Sequence, residues 1–415
     1  MPSLSDKLKE LGVKTGTKEL PVSPRRLSYP IEDVMPGRLI ELRSGATYLV
    51  EENYPLDYQH GQIKLMYETP LQLIAEWAGE ERIVGCPPSS FAFIDTETSG
   101  LAGGTGTFAF LVGVGRLTGE GFQLAQFFMR DPLEEPALLL ALENYLAPCQ
   151  TMVSFNGKAF DIPLLNTRYR LQGWSTPFDD RAHVDLLHLS RRIWRQRLDD
   201  RSLGNLEVEI LGARRSAEEV PGWMIPQLYF DYLREGDARP LKNVFYHNAM
   251  DVLALAALLN YLAKLITEPQ QAGYNFPSDQ VAVARLLEEL GHTEEAIVLY
   301  RACLRTWNEH PTSRPEDAYE DAIQRLALLY KRLGNFPAAL ELWKEAARLG
   351  QLYAHVELAK YYEHQAQDYH AALSWTQAAL ELIDQISLPD FERMQWQSEL
   401  EHRRLRLGGR LARRP

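Results

Sequence analysis

From Phe91 onward, short and almost wholly apolar runs alternate with stretches of helical period. FAFID is apolar nearly throughout, as expected of a strand covered on both faces. TFAFLVGVGRL and FQLAQFFMR read as two further strands, separated by a turn around Gly119 to Gly121. EPALLLALENYLA has helical period and is bounded by Asp131-Pro132 before it and Pro148 after it. TMVSFNG predicts a strand and AFDIPLLNTRYRLQG a helix ending at Gly173. A long helical region then contains DLLHLSRRIWRQRL, SLGNLEVEILG and, after a Pro/Gly-rich interruption, YHNAMDVLALAALLNYLAKLI. Three strands, a helix, a strand and then mostly helices predict an α/β layered domain with a mixed sheet over residues 89–266.

Residues 1–88 are mixed. GRLIELRSGATYLVEENYPL suggests a hairpin and LQLIAEWAG a short helix, so this region is expected to be an accessory layer packed on the α/β domain. From about Pro277 the pattern is helical and repeats. Ala327, Tyr330, Gly334, Phe336, Ala339, Trp343 and Ala346 have counterparts at Ala284, Leu287, Gly291, Thr293, Ala296, Tyr300 and Cys303. Tyr369, Ala372, Thr376 and Ala379 continue the series. Small residues let paired helices approach, aromatics fill the space between them, and Gly marks the turn. The pattern over 277–400 resembles the tetratricopeptide repeat, with an insertion from His310 to about Asp317. A plain helical bundle is the alternative.

A chain of 415 residues is long enough for several domains, and 45% hydrophobic with 24% charged residues is the composition of a folded protein. A net charge of -12 excludes a uniformly basic nucleic-acid coat, leaving a local basic groove or bound cations as the means of attracting phosphates. Three scattered cysteines make neither a disulfide framework nor a clustered zinc site and fit a reducing cytoplasm. MPSLSDKLKELG has no signal-peptide core, and LALAALLNYLAKL falls short of the roughly 20 residues of a membrane span. The expectation is a cytoplasmic protein with no membrane partner. The Arg-rich tail, 401–415, is expected to be disordered and to touch nucleic acid nonspecifically.

Three motifs carry candidate chemistry. Asp95 and Glu97 end an apolar strand two residues apart, which sends both side chains to one face. They are either solvated acids in a turn or a pair held by a cation, and oxygen ligands of this kind favour Mg²⁺ or Mn²⁺. In Val153 to Pro163 a strand enters a Gly-containing turn and then a helix, with Asp161 in its first turns. His247 and Asp251 stand at i and i+4, on one face of a strongly apolar helix whose burial demands a partner for the acid.

In this order, D-x-E, N-G-x-x-F-D and H-x-x-x-D resemble the DEDD family of 3′–5′ exonucleases, of the ribonuclease H-like superfamily. FIDTETSGLAGGTGTFAFLVGVG, SFNGKAFDIPLLNTRY, HVDLLHLSRRIW and HNAMDV, followed by the repeats, are similar to the bacterial YprB-like family. The resemblance implies that Asp95, Glu97, Asp161 and Asp251 hold two divalent ions, Asp95 bridging them, and that the pair clamps a scissile phosphate. It also implies a general base before the last Asp. One subtype has His five residues earlier and the other Tyr four residues earlier, whereas this chain has Tyr246 and His247 at those offsets. The helical face and a near-neutral pKa favour His247.

The Gly-rich segment from Thr98 and Ser99 through Leu101 to Thr107 is a tight inter-strand loop or a backbone nest for the terminal nucleotide. Asn156, Lys158 and Arg168, with Arg191, Arg192, Arg195, Arg197 and Arg201, offer phosphate contacts or form solvated surface. Phe155 and Trp194 offer base stacking or core packing, and Asp185 an auxiliary acid or a buried hydrogen-bonded role. The functional expectation is a two-metal exonuclease acting on a single-stranded end of DNA or RNA, with the repeats holding a protein partner. The alternatives are an inactive nucleic-acid-binding or protein-binding adaptor and a structure-selective endonuclease.

Overall fold

The run FAFIDTET forms β5 (Phe91–Thr98), buried along nearly its whole length. Strands covered on both faces need no polar alternation, which is why the run is so uniformly apolar. β6 (Ala109–Leu117) pairs with β5 antiparallel and β8 (Thr151–Ser154) pairs with it parallel on the other edge. β7 (Gly121–Phe128), β9 (Ala182–Asp185) and the hairpin β1 (Arg38–Leu42) and β2 (Gly45–Pro55) complete a seven-stranded mixed sheet in the order β1-β2-β7-β6-β5-β8-β9, while β3 (Gln59–His60) and β4 (Ile63–Lys64) form a small sheet of their own. The computed structural model describes residues 29–100, 106–216, 219–269, 276–309 and 316–412.

Two features depart from the sequence pattern. The hairpin forms, but β2 pairs with β7 from Tyr48↔Phe128 to Pro55↔Gly121, so it extends the central sheet and is not a separate layer. AHVD, of which the pattern assigns only Asp185 (to the helical stretch), is β9: four residues are too few for periodicity to mark a strand.

The chain divides into two compact units. The first comprises Met1–Glu68, Gly85–Leu187 and Leu203–Asn260. In it, α3 (Glu135–Leu146), α4 (Asp161–Leu171) and α7 (Ile225–Glu235) pack Leu138, Leu142, Leu165, Tyr169 and Tyr229 into one core with Ala92 and Ile94 of the sheet. α1 (Ile31–Val34) and α6 (Leu203–Glu209) also belong to it, whereas α2 (Gln72–Ala78) and all but the first two residues of α5 (Leu186–Ile193) fall in the second unit. Tyr229 stacks on Phe110 with ring centroids 4.0 Å apart, and its hydroxyl donates to the Met129 carbonyl. α8 (Leu241–Thr267) crosses β6 where the strand carries glycine. A Cβ at Gly113 would lie 2.2 Å from Asn248 Oδ1, and one at Gly115 would lie 2.8 Å from Val252 Cγ1. The helix is 27 residues, longer than its apolar core predicts and long enough by length and composition to cross a membrane. Most of that apolar stretch is buried inside the protein.

The second unit, Thr69–Val84, His188–Ser202 and Tyr261–Pro415, is all-helical. α9 (Pro277–Leu290), α10 (Thr293–Glu309), α11 (Glu316–Arg332), α12 (Phe336–Arg348), α13 (Leu352–His364), α14 (Tyr369–Ile383) and α15 (Asp390–Ala412) pack each against the next, as repeats do. The recurring Ala284, Ala296, Ala327, Ala339 and Ala346 are buried, as are Tyr300 and Trp343.

The basic tail is not disordered over its described part. α15 runs through Ala412 because Glu363, fully buried on α13, accepts from Arg403 Nη1 at 2.6 Å and Arg406 Nη2 at 2.8 Å. Residues 413–415 lie outside the described residues. Glu363→Gln removes the charge that the guanidinium groups of Arg403, Arg406 and Arg410 share and should destabilise the second unit by about 2 kcal/mol. Chemical denaturation with amide exchange over 390–412 checks this; unchanged stability and exchange would contradict it.

Candidate active site

β5 carries Asp95 and Glu97 toward one side and Thr96 toward the other, by strand alternation. Asp95 lies opposite Gly113 of β6, and the space left by that glycine admits Asn248 of α8. Asn248 is fully buried, and its Nδ2 donates to Asp95 Oδ2 at 2.8 Å. Gln126 Nε2 in turn donates to Asn248 Oδ1 at 2.9 Å and to the Phe245 carbonyl at 2.8 Å. This relay fixes which way the Asn248 amide faces, and so fixes Asp95. A register shift between Glu97 and Thr98 ends the regular ladder at the acids.

Thr96, on the other side, donates to Asp161 Oδ1. Asp161 opens α4, and the turn before it is built for close approach. Asn156 has φ 66°, a left-handed conformation that Asn tolerates better than most residues. A Cβ at Gly157 would sit 2.4 Å from Ser154 Oγ and 3.3 Å from Asp161 Oδ2, so the N-G pair is a steric requirement. Asp185, at the end of β9, accepts from the backbone N–H of Asn156 at 2.8 Å and of Lys158 at 3.1 Å. Its role is to fasten this turn.

One carboxylate oxygen of Glu97 on β5, one of Asp251 on α8 and a ring nitrogen of His247 on α8 all lie within 4.8 Å of one another. His247 Nδ1 donates to Glu219 Oε1 at 2.5 Å, and its Nε2 stands 3.3 Å from Asp251 Oδ2. Tyr246 is turned elsewhere, its hydroxyl accepting from the Ser216 N–H at 2.9 Å. Arg215 completes the group: its guanidinium donates to Asp251 Oδ1, to Glu219 Oε1 at 2.8 Å and to Glu207 Oε2 at 2.5 Å. Glu207, buried, also accepts from His60 Nε2 at 2.7 Å.

The electrostatics follow from packing acids together. Desolvation, then the charges of Asp251, Glu97 and Asp161, push the Asp95 carboxyl well above its usual range. Desolvation pushes Glu97 up to about 8 against the pull of His247, with Asp251 and Asp161 adding to the rise. Asp161 is raised to about 6, mainly by burial, although the Thr96 hydroxyl works the other way. Burial disfavours the charged form of His247, but the Asp251 hydrogen bond and the charges of Asp251, Glu97 and Glu219 hold it up to about 10. For Asp251, burial is outweighed by His247 and Arg215, which keep it below the ordinary carboxylate value.

Residues 92–263 match the family described as RNase_H superfamily. A Bacillus subtilis (strain 168) protein, uncharacterized protein YprB, is 32% identical over 341 residues, covering 80% of this chain and 79% of its own length. The chain belongs to the YprB family. Its mixed sheet flanked by helices is the ribonuclease H-like arrangement. Among solved structures, the family B DNA polymerase from the hyperthermophilic archaeon Pyrobaculum calidifontis is similar at 18% identity and a TM-score of 0.35, over 52% of this chain and 29% of the polymerase.

The donor set of this YprB-family site suits a hard divalent cation. Glu97 Oε1 is buried with no hydrogen-bond partner among the described residues, and an orphaned carboxylate oxygen facing other acids is the chemistry that a cation satisfies. Carboxylate oxygens and an imidazole, without thiols, match that class of ion.

The other candidate residues divide. Thr98 Oγ1 donates to the Gly100 carbonyl at 3.0 Å, and Ser99 Oγ accepts from the Phe108 N–H at 3.1 Å, so both brace the neck of the Gly-rich loop. Leu101 lies outside the described residues. Asn156 and Lys158 are exposed at the turn before Asp161. Arg168 is taken up by Glu135, at 2.6 Å and 2.7 Å, and is structural. Arg191 and Arg195 belong to the second unit and are exposed there, whereas Trp194 is fully buried and offers no stacking face.

Sequence reasoning misses Asn248, Arg215, Glu207 and Glu219. Asn248 had a signal, a polar residue in a strongly apolar helix beside His247. Arg215 and Glu219 sit in an irregular stretch where no period marks them, and nothing local announces that a chain segment 36 residues before Asp251 returns to it.

Proposed function

We propose that this chain is a divalent-metal-dependent nuclease that removes nucleotides from the 3′ end of single-stranded DNA or RNA. The observation supporting this best is the group of Glu97, His247 and Asp251, whose ligand atoms lie within 4.8 Å of one another, with Asp95 and Asp161 near enough for the negative charges of Asp161 and Asp251 to raise Asp95 and Glu97. These four carboxylates are the residues that would hold two Mg²⁺ or Mn²⁺ ions. Ions of this kind, once bound, activate water and neutralise charge at a phosphate.

The rest falls to the chain itself. Asn248 and Thr96 orient Asp95 and Asp161 before substrate arrives, so neither acid needs to reorganise. Glu219 holds a proton on His247 Nδ1, leaving Nε2 as the atom that takes a proton from the attacking water. Neutralising Glu97 and Asp251 removes the charges that keep His247 protonated, which brings its pKa down toward the working range. Thr98, Ser99, Leu101, Asn156 and Lys158 would border the terminal nucleotide, and tetratricopeptide-type packing of the second unit would seat a protein partner. Cytoplasmic location accompanies this reading.

The test is a time course on 5′-labelled single-stranded DNA and RNA with Mn²⁺. The expected result is a ladder shortening one nucleotide at a time, with its preferred sugar read directly. A single internal cut would replace exonuclease by endonuclease action, and an intact strand would overturn the reading. One observation favours an adaptor instead: Arg215 already neutralises Asp251.

A further inference from the structure

We propose that the second unit carries its own binding site for the phosphodiester backbone of a single-stranded nucleic acid, in a pocket of about 680 Å³ walled by Trp77, His188, Arg191, Arg195 and Arg285. The choice of nucleic acid as the ligand rests on the nuclease reading; the cationic site does not.

The arginines near this pocket are not alike. Arg192 pairs with Glu289, and Arg197 pairs with Asp279 at 3.1 Å while lying over the Phe276 ring. Arg201 donates to the Leu198 carbonyl, and Arg285 reaches Asp321 at 3.7 Å. Arg191 and Arg195 are exposed, and among the described residues neither has an ion pair or a hydrogen bond. On a chain with 56 acidic against 44 basic residues, two unmatched guanidinium groups facing one cavity are a local excess of positive charge. The acid in the wall, Glu289, is already engaged by Arg192. His188, exposed at the same wall, adds a ring N–H donor.

Shape and chemistry select the ligand. The volume falls in the range of small-ligand pockets and accommodates a nucleotide rather than a bare anion. Guanidinium groups match phosphate oxygens in a planar, two-point fashion. Trp77, half-buried, adds an aromatic surface on which a base of any sequence can stack, which an acidic peptide would leave unused. Each neutralised phosphate of a single strand contributes roughly 0.7 to the salt slope of binding.

The experiment measures anisotropy of a fluorescein-labelled twelve-nucleotide oligothymidylate with the full-length chain in EDTA at several salt concentrations. Arg191→Gln/Arg195→Gln should weaken binding about tenfold and reduce the salt slope by roughly 1.4. Equal affinity and slope in the two proteins would overturn the site. Displacement of the oligonucleotide by oligoglutamate at matched charge would assign the pocket to an acidic peptide and also overturn it. No cleavage enters the readout: a chain that binds through these arginines but never cuts would sink the nuclease reading alone. A chain that cuts, but binds equally well without them, would sink this one alone.

Discussion

Asp95→Asn should lower metal-dependent cleavage by about a thousandfold or more while leaving the fold intact. Asparagine keeps the size of the side chain and can still meet Asn248, so the relay from Gln126 survives in outline. What it removes is one negative oxygen from the set that would hold the ions. Losing several kcal/mol of charge stabilisation at a phosphate corresponds to about three powers of ten in rate. Single-turnover cleavage at saturating Mn²⁺ measures it, and a variant within tenfold of the parent would remove Asp95 from the proposed site. Without metal the sign of the stability effect reverses. Glu97, raised to about 8, and Asp161, raised to about 6, hold protons in the folded protein that the unfolded chain has already released. Their contribution is fully present below the unfolded carboxylate range and is lost as pH rises through about 8. His247, raised to about 10, loses its contribution over a higher window in the same direction. The metal-free protein should therefore melt at lower temperature at pH 8 than at pH 5.5. Mn²⁺ should restore the loss, and calorimetry in buffers of different ionisation enthalpy should register protons released on binding. A melting temperature that rises with pH in the absence of metal would refute the acid cluster as described.

The parts of this site legible in the sequence are those in which chemistry conflicts with local pattern. An acid at the end of an apolar strand, or within an apolar helix, is costly unless something compensates it, so Asp95, Glu97 and Asp251 stand out. Asp161 stands out because N-G before it marks a turn. The candidates that did not join the acids, Arg168 and Trp194, are ordinary helix residues whose partners, Glu135 and a buried core, are set by tertiary contacts. Strand β9 was hidden because four residues carry no period, and the order of the helical tail because Glu363 lies 40 residues from Arg403. Separation of that kind leaves no local trace.

Arg215→Ala should have the second large effect, on metal affinity and on the stability of the metal-free protein in opposite directions. The guanidinium serves three carboxylates at once, Asp251, Glu219 and Glu207. Removing one partner of a desolvated ion pair typically costs about 3–5 kcal/mol, because the remaining charge is stranded. Here His60 still serves Glu207 and His247 still serves Glu219, so the stranded acid is chiefly Asp251. A divalent cation arriving at the parent site must displace or coexist with Arg215, whereas in the variant it meets a carboxylate with one cation fewer beside it. Mn²⁺ should therefore bind Arg215→Ala about tenfold more tightly, and saturating Mn²⁺ should raise its melting temperature by more than it raises that of the parent. Arg215→Lys, which keeps the charge but loses the planar fork, should fall between the two. Titration calorimetry and melts at fixed Mn²⁺ read both quantities without relying on activity. Equal Mn²⁺ affinity in all three proteins would mean that Arg215 only buttresses the loop. A parent that takes no Mn²⁺ beside an Arg215→Ala protein that does would identify a site closed by its own arginine, and would make the adaptor reading the better one.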